Sequence, residues 1–300
     1  MKELNKVWID GEFVDWHSAQ VHVLTHGLHY GSAVFEGIRA YKTENGSAVF
    51  RLPEHIERFF YSASCLGLKI PFSKAETKEA ILELIKINKE NECYIRPVAF
   101  FGYGKMGLNP EGASVKTAII NWPWGAYLGG EDPVSTVISD HIRPHPDSTV
   151  MDAKISGTYS NSILASLSAK EAGADEAILL DFEGFVAEGP GENIFMVKNH
   201  KLYTPTKGTI LPGITRESVI EIAEDMGIDV EEKRIKPEEI KSADEVFFTG
   251  TAVEVCPVGQ IDGVLINQGE VGEITKEIKR TYAQTVRGRE NRYLKWLTFA

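Results

Sequence analysis

Apolar and polar residues alternate with a period of two in the opening stretch KVWIDGEFVD, which predicts two short strands about an Asp10-Gly11 turn. IRAYKTENGSAVFRL repeats the pattern and predicts a hairpin on Asn45-Gly46. The same Asn-Gly-Ser is a glycosylation sequon, but the hairpin turn accounts for it. The period then changes. In LPEHIERFFYSASCLGL, Pro53 suits a first helical position and Ile56, Phe59, Phe60 and Ala63 recur along one face, so a helix runs to about Gly67. A second helix, Lys74 to Asn88, carries Ile81, Leu84, Ile85 and Asn88 at helical spacing, and CYIRPVAFFGYG returns to strand. These elements make the first half α+β, not a repeating βαβ array.

NWPWGAYLGGEDP, Asn121 to Pro133, combines two prolines with glycines and aromatics and breaks the periodicity. It predicts a smaller N-terminal domain over 1–122, an interdomain loop over 123–133 that closes over something, and a larger C-terminal domain over 134–300. That domain opens with a strand near VSTVISD and continues with a helix in TYSNSILASLSAKEAG, where Tyr159, Ile163 and Leu167 fall in line and Gly173 is the stop. EAILLDFEGFVAEG and ENIFMVKNHKLYTP read as two hairpins in tandem. TRESVIEIAEDMG reads as a helix with Thr215 at its N-cap, DEVFFTGTAVEVCPV as two strands around a Thr-Gly-Thr turn, and GEITKEIKRTYAQTVRG as a terminal helix. No internal repeat is visible.

A length of 300 residues fits about two domains with a core that needs no metal or disulfide. Cys65, Cys93 and Cys256 are far apart, with no CxxC pair, and are expected to be buried thiols. The start lacks the apolar core of a signal peptide, and no run reaches the roughly 18 apolar residues of a membrane span, so a cytoplasmic location is expected. A formal charge of −11 argues against nucleic acid or anionic membrane as partners. Anionic small molecules would need local cations and backbone donors.

Candidate chemistry begins with what the motifs exclude. GYGKMG, Gly102 to Gly107, matches a dinucleotide fingerprint, but Pro110 and Gly112 forbid the helix that must follow. His22, His26 and His29 suggest no metal site, because QVHVLT alternates like a strand and Gly27 and Gly31 interrupt a helical face; they are expected to be structural or hydrogen-bonding. No GxSxG elbow occurs.

What remains is a set of three features. Lys154, in MDAKISGTYSNS, could form an imine. Glu188, on the return strand of a hairpin before a Gly-Pro-Gly turn, could hold a protonated ring nitrogen, with Glu192 and Asn193 serving the turn. Gly213, Ile214 and Thr215 at a helix entry, and the turn amides and hydroxyls of Gly250 to Ala252, could hold an anion. Separately these are a surface lysine, an exposed hairpin glutamate and good capping.

In this order, with EGPGENIF, LYT and LPGITR at their spacing, the chain resembles the fold-type IV, or class IV, pyridoxal-phosphate aminotransferases over essentially its whole length. HGLHYGSAVFEGIRAY, YIRP, GKMGLNP and PWGAYLG resemble most closely the branched-chain amino-acid aminotransferases. The resemblance implies an α+β, two-domain fold of the D-amino-acid aminotransferase type, with pyridoxal 5'-phosphate in the cleft between domains. It implies that Lys154 binds the cofactor aldehyde and is the catalytic residue. Glu188 would partner the pyridine nitrogen, Tyr159 the phenolic oxygen, and Arg58, Ile214, Thr215 and Thr251 the phosphate. Tyr94 and the amides of Thr251 and Ala252 would take the substrate α-carboxylate, and Arg96 the distal carboxylate of glutamate. Phe35, Trp124 and Tyr159 would wall the side-chain pocket together with Tyr30, Met106 and Leu108 across a dimer interface, so the implied state is a homo-oligomer, at least a dimer, with a hexamer as the larger form. The implied reaction is transamination of leucine, isoleucine and valine with 2-oxoglutarate. D-amino-acid or (R)-amine transaminases and aminodeoxychorismate lyases of the same fold are the alternatives, and a noncatalytic metabolite binder is the alternative of another class. ISGTYSNS is richer in hydroxyls than the Ala-Gly-Gly-Asn type of many bacterial relatives, which bears on substrate preference.

Overall fold

Backbone pairing divides the chain into two units that sequence order does not respect. In the computed structural model, which describes residues 2–125, 128, 130 and 132–300, the first unit comprises Met1–Gly125, Ala153–Gly157 and Thr285–Ala300, and the second Ala126–Asp152 and Thr158–Gln284. Ala126, Tyr127, Gly129 and Glu131 of the expected interdomain loop lie outside the described residues, as does Met1. The partition differs from the expected 1–122 and 134–300 at two places. The Lys154 segment joins the first unit because Ile155 forms an antiparallel bridge to Val34. The last residues join it because they add a strand to its sheet.

In the first unit, β1 (Lys6–Ile9) and β2 (Glu12–Asp15) flank the predicted turn, and α1 (His26–Tyr30) precedes β3 (Ala33–Phe35). β4 (Ile38–Thr43) pairs with β5 (Gly46–Phe50) in a register that sets Thr43 opposite Gly46, so the turn residues are Glu44 and Asn45, one position earlier than expected. α2 (Leu52–Cys65) and α3 (Lys74–Asn88) follow, then β6 (Cys93–Phe101) and β7 (Val115–Trp122). The sheet is antiparallel, in the order β17-β5-β4-β6-β7-β1-β2 with β3 beside β6; β17 (Leu297–Phe299) pairs Leu297 with Phe50. QVHVLT forms no strand: it leads through a turn into α1, whose helical turn includes Gly27 and stops at Gly31 (φ +62°).

The core of this unit lies between the sheet and the two long helices: Leu52 and Ile56 of α2 and Ile81, Leu84 and Ile85 of α3 pack on Ile38, Val49, Ile95 and Ile119. Burying each such side chain stabilises the fold by about 1.5–3 kcal/mol. α3 is opened by a capping box between Ser73 and Glu76 and closed by Asn88, which is buried and hydrogen-bonds both backbone groups of Lys6 at 2.9 Å. The buried stripe of α2 also carries two polar residues, His55 and Ser62.

The second unit contains β8 (Val134–Ile138), α4 (Tyr159–Glu171), β9 (Glu176–Leu180), β10 (Val186–Glu188), β11 (Asn193–Lys198), β12 (Lys201–Thr204), α5 (Ile214–Asp225), β13 (Val230–Glu232), α6 (Pro237–Lys241), β14 (Glu245–Gly250), β15 (Glu254–Ile261), β16 (Val264–Leu265) and most of α7 (Glu273–Val286). Its mixed sheet runs β10-β9-β8-β15-β14-β11-β12-β13, with β16 beside β15. Both tandem hairpins form as predicted. Two helix details differ. The line Ile163 and Leu167 on α4 is exposed, and the buried face is Ser162, Ala165 and Ala169, small residues that let the helix approach Ala177 and Leu179 of β9. α5 begins at Ile214, so its cap is Gly213 and Thr215 lies within the first turn.

Candidate active site

Alternation along a short extended segment turns Lys154 out of the core. Ala153 and Ile155 are buried beside Val34, Phe59 and Ala63, and the intervening Lys154 is half-buried with Nζ 4.9 Å from the centre of the Phe35 ring. Both of its backbone groups are held: its N–H donates to Ser62 Oγ at 2.9 Å, and its carbonyl accepts from the Phe35 N–H at 3.2 Å. The small residues after the lysine have a local reason as well. A Cβ on Gly31 would stand 2.7 Å from Gly157 Cα, so this close approach requires glycine at 31, and a Cβ on Gly157 would be tight at 3.2 Å from the Gly31 carbonyl.

Arg58, one helical turn after His55 on α2, meets Glu36 edge to edge. Its Nε donates to Oε1 at 2.6 Å and its Nη2 to Oε2 at 3.0 Å, the fork geometry that fixes a guanidinium plane. Glu36 is completely buried, and Oε2 also contacts His55 Nδ1 at 2.7 Å. Burial alone would push the Glu36 carboxyl up, but Arg58 and His55 outweigh it and hold the group well below the usual carboxylate range. For His55, burial is the larger effect and takes the imidazole below its usual value, so the ring is neutral and donates from Nδ1. Neither Glu36 nor His55 was legible as a site residue; the His-x-x-Arg spacing on one helix face is the only trace they leave.

Arg96 lies among aromatic rings. Its Cζ is 4.6 Å from the Phe35 centroid, 5.3 Å from Tyr94 and 5.9 Å from Trp122, and among the described residues it has no carboxylate partner. Tyr94 packs at a tilt between Trp122 and Trp124, with centroids at 5.2 and 5.0 Å, and its hydroxyl is reached by Arg96 Nη2 at 3.4 Å. Room for that hydroxyl exists because residue 37 is glycine: a Cβ there would lie 2.0 Å from it. Phe35, Tyr94, Arg96 and Trp124 are thus brought together. Trp122 was missed; the signal in the sequence was its place two residues before Trp124, while its position opposite Tyr94 is set by the β6–β7 register.

In the second unit Glu188 is buried, not an exposed hairpin residue. Arg143 Nε lies 2.9 Å from Oε1, and Oε2 accepts from Asn193 Nδ2 at 3.0 Å and from the Leu211 N–H at 3.2 Å. Asn193 does more than serve the Gly-Pro-Gly turn, which Glu192 supports by accepting from the Gly191 N–H. It also donates to the Leu211 carbonyl at 2.9 Å and packs so close to Gly213 that a Cβ there would meet its Oδ1 at 1.9 Å. Asn193 therefore fastens the Glu188 strand to the entry of α5, where Ile214 and Thr215 offer first-turn N–H groups without a side-chain cap. The β14–β15 connection, with Thr251 and Ala252 half-buried, passes alongside: a Cβ on Gly250 would be 3.5 Å from the Gly191 carbonyl. Tyr159 is the first residue of α4 and half-buried. Arg143 left no signal in the sequence, since a single arginine before a proline has none.

Tyr30, Met106 and Leu108 are exposed, by 42%, 42% and 85%. His26 links them: buried in α1, it donates from Nε2 to the Gly107 carbonyl at 2.8 Å and its ring lies tilted against Tyr30, with centroids 4.6 Å apart. His22 and His29 also spend ring nitrogens on backbone partners, and the described residues contain no cluster of metal-ligating side chains. No helix follows GYGKMG.

A profile of the Amino-transferase class IV family matches residues 33–261. The branched-chain-amino-acid aminotransferase of Pseudomonas aeruginosa is 44% identical over 295 residues, which cover 97% of this chain and 96% of that protein. The Escherichia coli (strain K12) protein of the same name is 40% identical over 301 residues, covering 99% and 97%. Among solved structures, the T.th. branched-chain amino acid aminotransferase with pyridoxamine 5'-phosphate is similar with a TM-score of 0.97 at 44% identity, covering 100% of this chain and 99% of that one. Its complex with N-(5'-phosphopyridoxyl)-L-glutamate gives 0.95 at 43% identity, with the same coverage.

Proposed function

Because the chain belongs to the class IV aminotransferase family, among its branched-chain amino-acid aminotransferases, we propose that it transfers the amino group of L-leucine, L-isoleucine and L-valine to 2-oxoglutarate with pyridoxal 5'-phosphate as cofactor. The observation that carries this reading is Arg96 on its bed of Phe35, Tyr94 and Trp122. Such a reaction needs one pocket that accepts an apolar branched chain in one half and a carboxylate in the other. Aromatic faces serve the first, and a guanidinium with no acidic partner among the described residues serves the second.

The donor sets fit the cofactor. It needs an amine for its aldehyde, an anionic acceptor for its ring N–H and donors for its phosphate. Lys154 is the amine; Glu188, gripped by Arg143, Asn193 and the Leu211 N–H, is the acceptor; and Arg58, Thr251 and the first-turn groups of Ile214 and Thr215 are the phosphate donors. When bound, pyridoxal phosphate supplies an electron sink for charge developing at the substrate Cα.

The chain's own residues do the rest. Lys154 Nζ takes the proton from the substrate Cα and later returns a proton on the cofactor side, as general base and then general acid. Glu188 holds a proton on the pyridine nitrogen. Tyr159 donates to the phenolic oxygen. Tyr94 and the amides of Thr251 and Ala252 orient the α-carboxylate, and the rings of Phe35, Trp124 and Tyr159 exclude water from the side-chain pocket. We assign the exposed Tyr30, Met106 and Leu108 to the pocket of a neighbouring copy, which makes the active form at least a dimer, and we place the enzyme in the cytoplasm. Among the described residues, no helix is long and apolar enough to cross a membrane.

The test is turnover by Lys154→Ala, expected to fall by about 1,000-fold or more, together with a spectral titration of the holoenzyme with amino acids. L-Leucine is expected to change the cofactor absorbance. If D-alanine or aminodeoxychorismate does so and L-leucine does not, a D-amino-acid transaminase or a lyase is the better reading; no change with any of them indicates a binder.

A further inference from the structure

Two buried ionisable residues have no part in the reaction above. Glu36 is fully buried and His55 nearly so, and both are spent on Arg58 or on each other. We propose that Glu36, steadied by His55, is a positioning residue that fixes the Arg58 guanidinium for the cofactor phosphate; this rests on the reading of Arg58 as a phosphate ligand.

Arg58 reaches its place through a long side chain with several free torsions, and a guanidinium that samples many orientations binds a phosphate poorly. The two parallel bonds from Nε and Nη2 to Glu36 leave one plane and one direction for the rest of the fork. A carboxylate that did this alone could itself rotate. His55 prevents it by donating to Oε2 at 2.7 Å from the preceding turn of the same helix, and the Gly37 N–H lies 3.3 Å from the same oxygen. Both carboxylate oxygens are thus used, and the Glu36 side chain is fully buried. The arrangement gives up part of the positive charge of Arg58 and gains orientation. The alternative is a purely structural ion pair, and the two differ in what they do to a ligand that lacks the phosphate.

The experiment measures dissociation constants of the apoenzyme for pyridoxal phosphate and for pyridoxal, which shares the ring and the aldehyde but has no phosphate. Glu36→Gln is expected to weaken pyridoxal phosphate by about 10- to 100-fold, the range for losing hydrogen bonds to a charged group. Pyridoxal is expected to stay within about twofold, because its contacts are untouched. Equal weakening of both ligands, or pyridoxal phosphate binding that is unchanged or tighter, overturns the proposal. Arg58→Gln is the reference. If it does not itself weaken pyridoxal phosphate relative to pyridoxal, the phosphate reading of Arg58 fails; if it does and Glu36→Gln does not, the positioning role alone fails. In the Arg58→Gln background, Glu36→Gln is expected to add no further selective loss. Should Glu36→Gln not fold, Glu36→Asp, which keeps the charge but withdraws it from the fork, is judged by the same ratio.

Discussion

Glu36 is the residue at which desolvation and pairing oppose each other most directly, and pairing prevails. Its carboxyl is depressed in the folded protein relative to its ordinary 4.5, so the stability it contributes is present above that value and is lost as pH falls toward the folded-state titration. Glu36→Gln is expected to cost about 3–5 kcal/mol at pH 7 in urea unfolding of the apoenzyme, the range for breaking a buried pair. That difference from wild type should narrow as the pH drops below 4.5; a constant difference would mean that the charge is not what stabilises. The thiols make the opposite case. Burial pushes Cys93 and Cys256 up to about 12, so few thiolates exist at pH 8, whereas Cys65 is half-buried. Iodoacetamide should label Cys65 first in the native protein and the other two only on unfolding, as peptide mass mapping would check. All three were expected to be buried; the partial exposure of Cys65 follows from its place as the last residue of α2.

At the scale of elements, the entry to α5 is a tightly packed joint. Gly213 there has φ −70°, which any residue adopts, so its reason is space and not backbone freedom. Gly213→Ala would drive a methyl into Asn193 Oδ1, and should destabilise by about 1–3 kcal/mol while weakening pyridoxal phosphate, measured as melting temperature and dissociation constant. The periodicities were legible wherever an element had two unlike faces, as in α2, α3 and the paired hairpins. They misled where the buried face is made of small residues: in α4, Ala165 and Ala169 pack on β9 while Ile163 and Leu167 remain outside. A hydrophobic pattern assumes that the larger apolar side faces inward, and contact with a sheet at short distance reverses it. Thr215 is not the cap because the helix already begins at Ile214.

For the whole molecule, assembly is the quantity to measure. If Tyr30, Met106 and Leu108 complete the pocket of a neighbouring copy, light scattering of fully active enzyme should give at least twice the 33.3 kDa of one chain, and Leu108→Asp should lower both mass and activity; an active single chain would refute the arrangement. The residue types proposed to carry the chemistry were determined by the sequence, because an amine at 154, a carboxylate at 188 and turn amides at 213–215 and 250–252 are local facts of identity and spacing. Which residues support them was decided only in three dimensions. Glu36 reaches Arg58 across 22 positions, Arg143 reaches Glu188 across the β9–β10 hairpin, and the Lys154 segment leaves its chain neighbours to pair with Val34 in the first unit. Long-range pairs of this kind leave no period along the chain, since their partners are chosen by the sheet register that brings them together.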